Sequence, residues 1–104
     1  MSNPNDATGT PRFSVGTVLA TPGALEALEE SGQTPEYFLD RHLRGDWGGV
    51  GQDDWQANDQ ALQDGSRIFS AYQTLKSKKL WIITEAVGDD GNRAATTLLL
   101  PEEY

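Results

Sequence analysis

The sequence has no cysteine, a single histidine, few basic residues and no long apolar run. Without cysteine, the chain can form neither a disulfide framework nor a thiolate metal site. No stretch approaches the ~18 consecutive apolar residues that a membrane-spanning helix needs, and no basic start precedes an apolar core as in a signal peptide. We therefore expect a soluble, cytoplasmic protein without a bound metal or cofactor.

Acidic residues outnumber basic residues. The 104 residues include 16 Asp and Glu but 8 Lys and Arg, so the formal net charge is −8. Contact with a phosphate backbone requires a basic surface, and we therefore expect no broad nucleic-acid-binding surface. The length predicts one domain. Residues 1–11 are mostly polar, which predicts a disordered tail before a single domain over 12–104.

Three segments carry the start and end signals of helices. Threonine followed by proline at 21–22 and at 34–35 predicts two capped starts, and the glycines at 32 and 45 end these helices. Asp53 and Asp54 are expected to cap a third helix that runs to about Asp64, where Gly65 ends it.

The hydrophobic pattern then changes from helical to alternating. Alternation predicts strands at 67–75, 80–87 and 93–100, and an earlier strand at 12–21. The short connections between the last three strands predict an antiparallel meander. The order of one strand, three helices and three strands indicates an α+β domain with its helices packed on the sheet.

If both hairpins are symmetric, their register predicts which residues share each face of the meander. They pair Tyr72 with Ile82 and Thr84 with Thr96, so that the even-numbered strand residues share one face and the odd-numbered residues share the other. A half-solvated sheet has one polar face, and neither face is clearly polar here. Either other elements cover both faces, or the odd-numbered face binds a partner or a second subunit. The candidate interface residues on that face are Phe69, Trp81, Ile83 and Leu99.

Any acid–base catalysis would depend on His42, the single histidine. Its neighbours Arg41 and Arg44 could stabilise charge during phosphodiester cleavage, as in a small nuclease. The same positions fall in the last turn of the predicted second helix, where basic residues commonly cap the C-terminus. Ser70 and Thr84 would be nucleophiles only beside a base, and are otherwise ordinary strand residues.

Arg67, Glu85 and Arg93 gather at one end of the odd-numbered face. Their charges predict a cross-strand ion-pair cluster. The alternative is part of a catalytic or anion-binding site, in which the arginines flank the carboxylate of Glu85.

Asp46, Asp53 and Asp54 surround a glycine-rich loop that could fold around a hard cation. The spacing does not match a calcium-binding loop, and the glycine run lacks the Lys-Ser/Thr ending of a phosphate-binding loop. We therefore predict no metal site. The acidic residues of the predicted helices form either an ordinary solvated face or a surface that mimics nucleic acid.

Several short motifs are spread over the chain: Gly45-Asp46-Trp47-Gly48, Asn58-Asp59, Gly65, Ser70-Ala71-Tyr72, Trp81-Ile82-Ile83-Thr84-Glu85, Thr96-Thr97 and Leu100-Pro101-Glu102-Glu103-Tyr104. Together they resemble a family of small bacterial proteins found on plasmids and other mobile elements, usually described as hypothetical or plasmid-related. The resemblance extends from Phe13 to Tyr104. It implies an accessory protein in the bacterial cytoplasm and assigns no catalytic residue.

These patterns predict a small non-enzymatic accessory protein that dimerises, or binds a protein partner, through its sheet. One alternative is a nuclease similar to the barnase/RelE type, which has a comparable order of elements but is generally basic. That nuclease would use His42 with Arg41, Arg44 or Arg67. A second alternative is an acidic mimic of nucleic acid that inhibits a host defence enzyme.

Overall fold

The computed structural model describes residues 11–104, in which three helices pack on one four-stranded sheet. This is the predicted α+β fold, with a strand, three helices and then three strands. The predicted tail at 1–11 lies outside the described residues, apart from Pro11. No helix within 11–104 is both long enough and apolar enough to cross a membrane. The elements in chain order are β1 (Thr17–Ala20), α1 (Pro22–Ser31), α2 (Pro35–Leu43), α3 (Gln52–Asp64), β2 (Ile68–Gln73), β3 (Lys79–Thr84), β4 (Ala95–Leu99) and a 3₁₀ turn (Pro101–Glu103).

The last three strands form the predicted antiparallel meander. The second hairpin has the predicted register, with Thr84 opposite Thr96. In the first hairpin the register differs by two residues, since Tyr72 lies opposite Leu80 and not Ile82. The hairpin is centred one residue earlier in the chain than predicted, and its turn includes Ser77 in the left-handed region, at φ 64°. A shift of two residues leaves every side chain on its face, so the predicted faces are confirmed.

Strand β1 pairs in parallel with β4, which gives the sheet the order β1-β4-β3-β2. A parallel pair needs a long crossover, and the helices lie within this one. A Cβ at Gly16 would lie 2.3 Å from the carbonyl oxygen of Arg93, so only glycine fits where the chain enters β1. This pairing leaves β1 at one edge of the sheet and β2 at the other.

The starts of the first two helices follow the predicted capping pattern. The side chain of Thr21 accepts the N–H of Ala24, and that of Thr34 accepts the N–H of Tyr37. Helix α3 differs, because its N-cap is Gly51 and no side chain caps it. Asp53 and Asp54 lie instead in the first turn, where their carboxylates face the positive end of the helix dipole.

All three helices contribute to the core on one side of the sheet. The main core cluster consists of Ala24, Ala27, Leu28, Phe38, Tyr72, Leu80, Ile82, Leu98 and Leu100. A second cluster under α3 contains Trp47, Ala61 and Ile68. The even-numbered strand residues therefore form the buried inner face. On the odd-numbered side, Phe69, Trp81 and Ile83 remain partly exposed, whereas Ala95 and Leu99 are buried.

Candidate functional site

The side of the sheet away from the helices, here called the outer face, carries mostly apolar side chains. Leu19 of β1 is 50% exposed and extends the face at its edge. Among the predicted interface residues, Phe69, Trp81 and Ile83 are partly exposed, whereas Leu99 is buried with 6% exposure. The outer face consists of Phe69, Ala71, Trp81, Ile83, Thr97 and Leu99.

Three aromatic rings meet on the outer face. Phe69 packs edge-on against Trp81 with ring centroids 5.0 Å apart, and Tyr104 packs against the same indole at 5.8 Å. The hydroxyl of Tyr104 accepts a hydrogen bond from the Arg67 guanidinium at 2.9 Å, and this tyrosine is 70% exposed. Such a connected group of partly exposed aromatic side chains is typical of protein contact surfaces.

Glu103 fastens the C-terminal turn that positions Tyr104. One carboxylate oxygen accepts the Thr21 hydroxyl, and the other accepts the N–H of Gly23 at 3.1 Å. The hydrogen bond from Thr21 holds the pKa of Glu103 below its usual range. The sequence carries no local signal for this contact, because the two partners lie some eighty residues apart in the chain.

The predicted ion-pair cluster of Arg67, Glu85 and Arg93 does not form. Within residues 11–104, both ion pairs lie at the end of α2 and involve none of these three side chains. Arg67 reaches Tyr104, as described above, while Glu85 is exposed. The reason is that Arg93 turns away from the outer face and is buried.

The Arg93 side chain hydrogen-bonds to three separate main-chain segments. Its guanidinium donates to the carbonyl oxygens of Ser66, Glu85 and Ala61 at 2.7, 2.9 and 3.1 Å. Ala61 lies in the last turn of α3, so the positive charge also faces the negative end of that helix dipole. Burial lowers the pKa of Arg93, but an arginine remains protonated in proteins. The role of Arg93 is therefore structural.

A cleft of about 600 Å³ adjoins the outer face at β2. Its second wall is the glycine-rich loop, which hydrogen-bonds to β2 through the N–H of Gly49 and the carbonyl of Trp47, both bonded to Ala71. A Cβ at Gly48 would lie 2.1 Å from the Ala71 carbonyl oxygen, so glycine is required there. The cleft is lined by Arg41, Asp46, Gly48, Gly49, Val50, Gly51, Asp54, Phe69, Ala71, Tyr72, Gln73, Lys79 and Trp81.

The charged candidates at the end of α2 are engaged with neighbouring carboxylates. Arg41 pairs with Asp46 at 2.8 Å, and its guanidinium lies 4.6 Å from the centre of the Tyr72 ring. The hydrogen bond from Arg41 holds the pKa of Asp46 below its usual range. Arg44 pairs with Asp40 at 2.7 Å, one helical turn away. These contacts fix the loop on the helix and leave neither arginine beside His42.

His42 lies in the interior with no exposed surface. Its Nδ1 atom meets the Ser70 hydroxyl at 2.5 Å, and its Nε2 atom meets the Thr84 hydroxyl at 2.8 Å. The imidazole also packs edge-on against the rings of Phe13 and Trp47. Neither ring nitrogen caps the helix end, contrary to that prediction, because both are used across the inner face of the sheet.

The hydrogen-bond chain beyond His42 determines which ring nitrogen carries the proton. Thr96 donates its hydroxyl hydrogen to the carbonyl oxygen of Val15, so Thr84 must donate to Thr96. Thr84 can then only accept from His42, which requires a proton on Nε2. The Nδ1 atom of the neutral ring accepts from Ser70. All four side chains of this buried chain are thereby satisfied.

Burial and, to a lesser extent, the positive charge of Arg93 together lower the pKa of His42 from 6.5 to about 3. The imidazole is therefore neutral at physiological pH. A hydroxyl beside a neutral imidazole is the arrangement of an activated nucleophile. Here His42, Ser70 and Thr84 are all fully buried, so no substrate can reach the pair. The geometry makes it an internal hydrogen-bond network.

Asn58 protects the outer edge of β2. Its side chain accepts the N–H of Phe69 at 3.0 Å and donates to the carbonyl of the same residue at 2.6 Å. The amide thus takes the place of a neighbouring strand. A signal for this contact exists in the sequence, because Asn58 falls between Trp55 and Leu62 on the stripe of α3 that faces the protein. A polar residue on such a stripe indicates a buried hydrogen bond.

Within the described residues, no three His, Asp or Glu side chains come close enough together to hold a metal ion. This holds for Asp46, Asp53 and Asp54 around the glycine-rich loop. Comparison of the chain with models of known protein families, with curated proteins and with solved structures gave no significant match.

Proposed function

We propose that this protein is a non-enzymatic interaction module that binds a protein partner through its outer face. The observation that carries the proposal is the one-sided packing of the sheet. All three helices bury the inner face, while Phe69, Trp81 and Ile83 remain partly exposed on the other side. A sheet face that stays in water normally carries polar residues, and an apolar one indicates a contact surface.

The outer face also has the composition of a binding hot spot. Aromatic side chains dominate such sites because they bury much area at low conformational cost. Trp81 lies in contact with both Phe69 and Tyr104, and so forms the centre of the aromatic group. We expect partner binding to depend most strongly on this tryptophan.

The two alternative functions have less support. A hydrolase would need His42 in a cleft, yet the imidazole has no exposed surface, and Arg41 and Arg44 are paired elsewhere. An acidic mimic would need its carboxylates spaced along one stripe, and no observed spacing favours that. The resemblance to plasmid-related proteins fits an accessory role in the bacterial cytoplasm, which we include in the proposal.

Site-specific photo-crosslinking in the host cell tests the proposal. A benzophenone amino acid placed at Thr97, within the outer face, is expected to give a discrete adduct with a protein. The matched control is the same amino acid at Leu75, which is 77% exposed but lies in the turn after β2. The Thr97 adduct should also disappear when Ile83→Lys is introduced into the same chain. An absent adduct, or an equal one at Leu75, contradicts the proposal.

A further inference from the structure

We infer that the partner on the outer face is a second copy of this chain, stacked face to face with its strands antiparallel to the first. The inference rests on the proposed function, because it names the occupant of the same face. Two independent features of the face carry it: the position of its charges and the alternation of large and small side chains.

The charges at the two ends of β3 are opposite. Lys79 begins the strand and Glu85 follows it, and the alternation of side chains places both on the outer side. Both residues are exposed, and neither takes part in an ion pair within residues 11–104. The face therefore carries one positive and one negative group that are free to pair with a partner.

In this dimer the two-fold axis lies between the two outer faces and runs perpendicular to the strands. The axis places each strand antiparallel to the same strand of the second copy and makes the interface self-complementary. The Lys79 end of one copy then meets the Glu85 end of the second copy, and the reverse contact forms by symmetry. An axis along the strands would instead bring each charge against its own kind. Charge complementarity therefore selects the antiparallel arrangement.

The side chains between these ends also fit an antiparallel partner. Across the first hairpin, Trp81 lies beside Ala71 and Ile83 lies beside Phe69. A rotation centred between Trp81 and Ile83 places the small Ala71 of one copy against the large Phe69 of the other. The same rotation places the Trp81 indole of one copy against the smaller Ile83 side chain of the other. Large groups thus meet small ones, as close packing of two sheets requires.

The acidic excess of the chain does not oppose this contact. At physiological ionic strength the Debye length is about 8 Å, so charges farther away are largely screened. The carboxylates of α1 belong to a helix on the inner side of the sheet, whereas Asp54 of α3 lines the cleft beside the outer face. The charged residues nearest to the contact are of mixed sign: Lys79, Arg67 and Arg41 are positive, and Glu85, Asp46 and Asp54 are negative.

Charge reversal at the two ends tests the arrangement in the purified full chain. Lys79→Glu creates two contacts between negative groups, and Glu85→Lys creates two between positive groups. Each substitution alone is expected to weaken dimerisation about tenfold. The double variant restores both attractions with reversed sign, so its dimerisation constant should return to within about threefold of the original. Lys76→Glu, in the exposed turn, is the matched control and should have no effect.

Sedimentation equilibrium at physiological salt supplies these constants. Rescue in the double variant supports antiparallel stacking, since damage to the fold by either substitution would add and not cancel. The arrangement is overturned if both single variants dimerise as tightly as the original chain, or if the double variant dimerises more weakly than either single variant. A Thr97 photo-adduct with a different protein also overturns the second copy but leaves the proposed function standing. An absent adduct contradicts both.

Discussion

The single histidine shows how one buried residue can organise the interior of a small domain. His42 joins α2 to β2 and β3 through Ser70 and Thr84, and the hydroxyl of Thr96 extends the chain of hydrogen bonds to Val15. The order of the hydroxyl donors requires the proton on Nε2, and burial keeps the ring neutral. The interior is thereby sensitive to protonation at one atom.

The depressed pKa of His42 makes stability depend on pH in the weakly acidic range. The pKa of His42 is 6.5 in the unfolded chain and about 3 in the folded chain. Protonation of His42 therefore favours the unfolded state between these two pH values. The contribution of His42 to stability is complete above pH 6.5 and is lost progressively below it. We expect the free energy of unfolding to fall by up to about 1.4 kcal/mol per pH unit in this range.

Urea unfolding and NMR measure the two sides of this prediction. The His42→Gln variant should lose much of the pH dependence between about pH 6.5 and about pH 5, where carboxylates contribute little. In the native protein the imidazole signals should not titrate over the same range. A titration midpoint near the ordinary histidine value would show that the ring is hydrated and not held in this network.

Sequence reasoning identified His42, Ser70 and Thr84 separately but could not join them. Ser70 lies 28 residues and Thr84 lies 42 residues from the histidine, so only the packing of α2 on the sheet makes them neighbours. A cap and a catalytic base were both reasonable for a histidine in a last helical turn. Burial distinguishes these roles, and burial at a helix end depends on tertiary contacts.

At the scale of elements, the two edge strands of the sheet differ in whether other parts of the chain hydrogen-bond to them. The edge of β2 is closed by the Asn58 side chain at Phe69 and by the glycine-rich loop at Ala71. The edge of β1 has no partner strand within the described residues, and its Val18 and Leu19 are 43% and 50% exposed. An unprotected edge readily pairs with other chains, so closing β2 limits unwanted association.

Removal of the Asn58 amide should show what this protection contributes. Asn58→Ala leaves the part-buried N–H and carbonyl of Phe69 without their partners, and we expect a loss of about 2 kcal/mol in the free energy of unfolding. Asn92→Ala, in the exposed turn before β4, is the control and should change it by less than about 0.5 kcal/mol. Urea denaturation measures both variants. Equal stability of Asn58→Ala and the original chain would contradict this role of the side chain.

The elements themselves were largely predictable because their signals are local. Alternation identified the faces of β2, β3 and β4, and the threonine–proline pairs marked two helix starts. The register of the first hairpin depends on the turn at Ser77, and it was wrong by two residues without effect on the faces. The parallel pairing of β1 with β4 has no local signal, because four residues of alternating pattern fit any neighbour.

At the scale of the whole molecule, the chain has two unlike sides. The helices carry many of the exposed carboxylates and cover the inner face, whereas the outer face carries apolar and aromatic groups with few charges. The net charge of −8 therefore describes the helical side more than the contact surface. This separation keeps the acidic outer surface of α1 away from the face through which we propose that the protein binds its partner.

The mass of the purified protein in solution tests the central inference most directly. We expect sedimentation equilibrium to give twice the chain mass for the original protein and for Leu75→Lys, a charged substitution in the exposed turn. Ile83→Lys places a charge within the outer face and should give the mass of a single chain, with its unfolding transition retained. A single-chain mass for the original protein at all concentrations, or an unchanged dimer in Ile83→Lys, would contradict the inference.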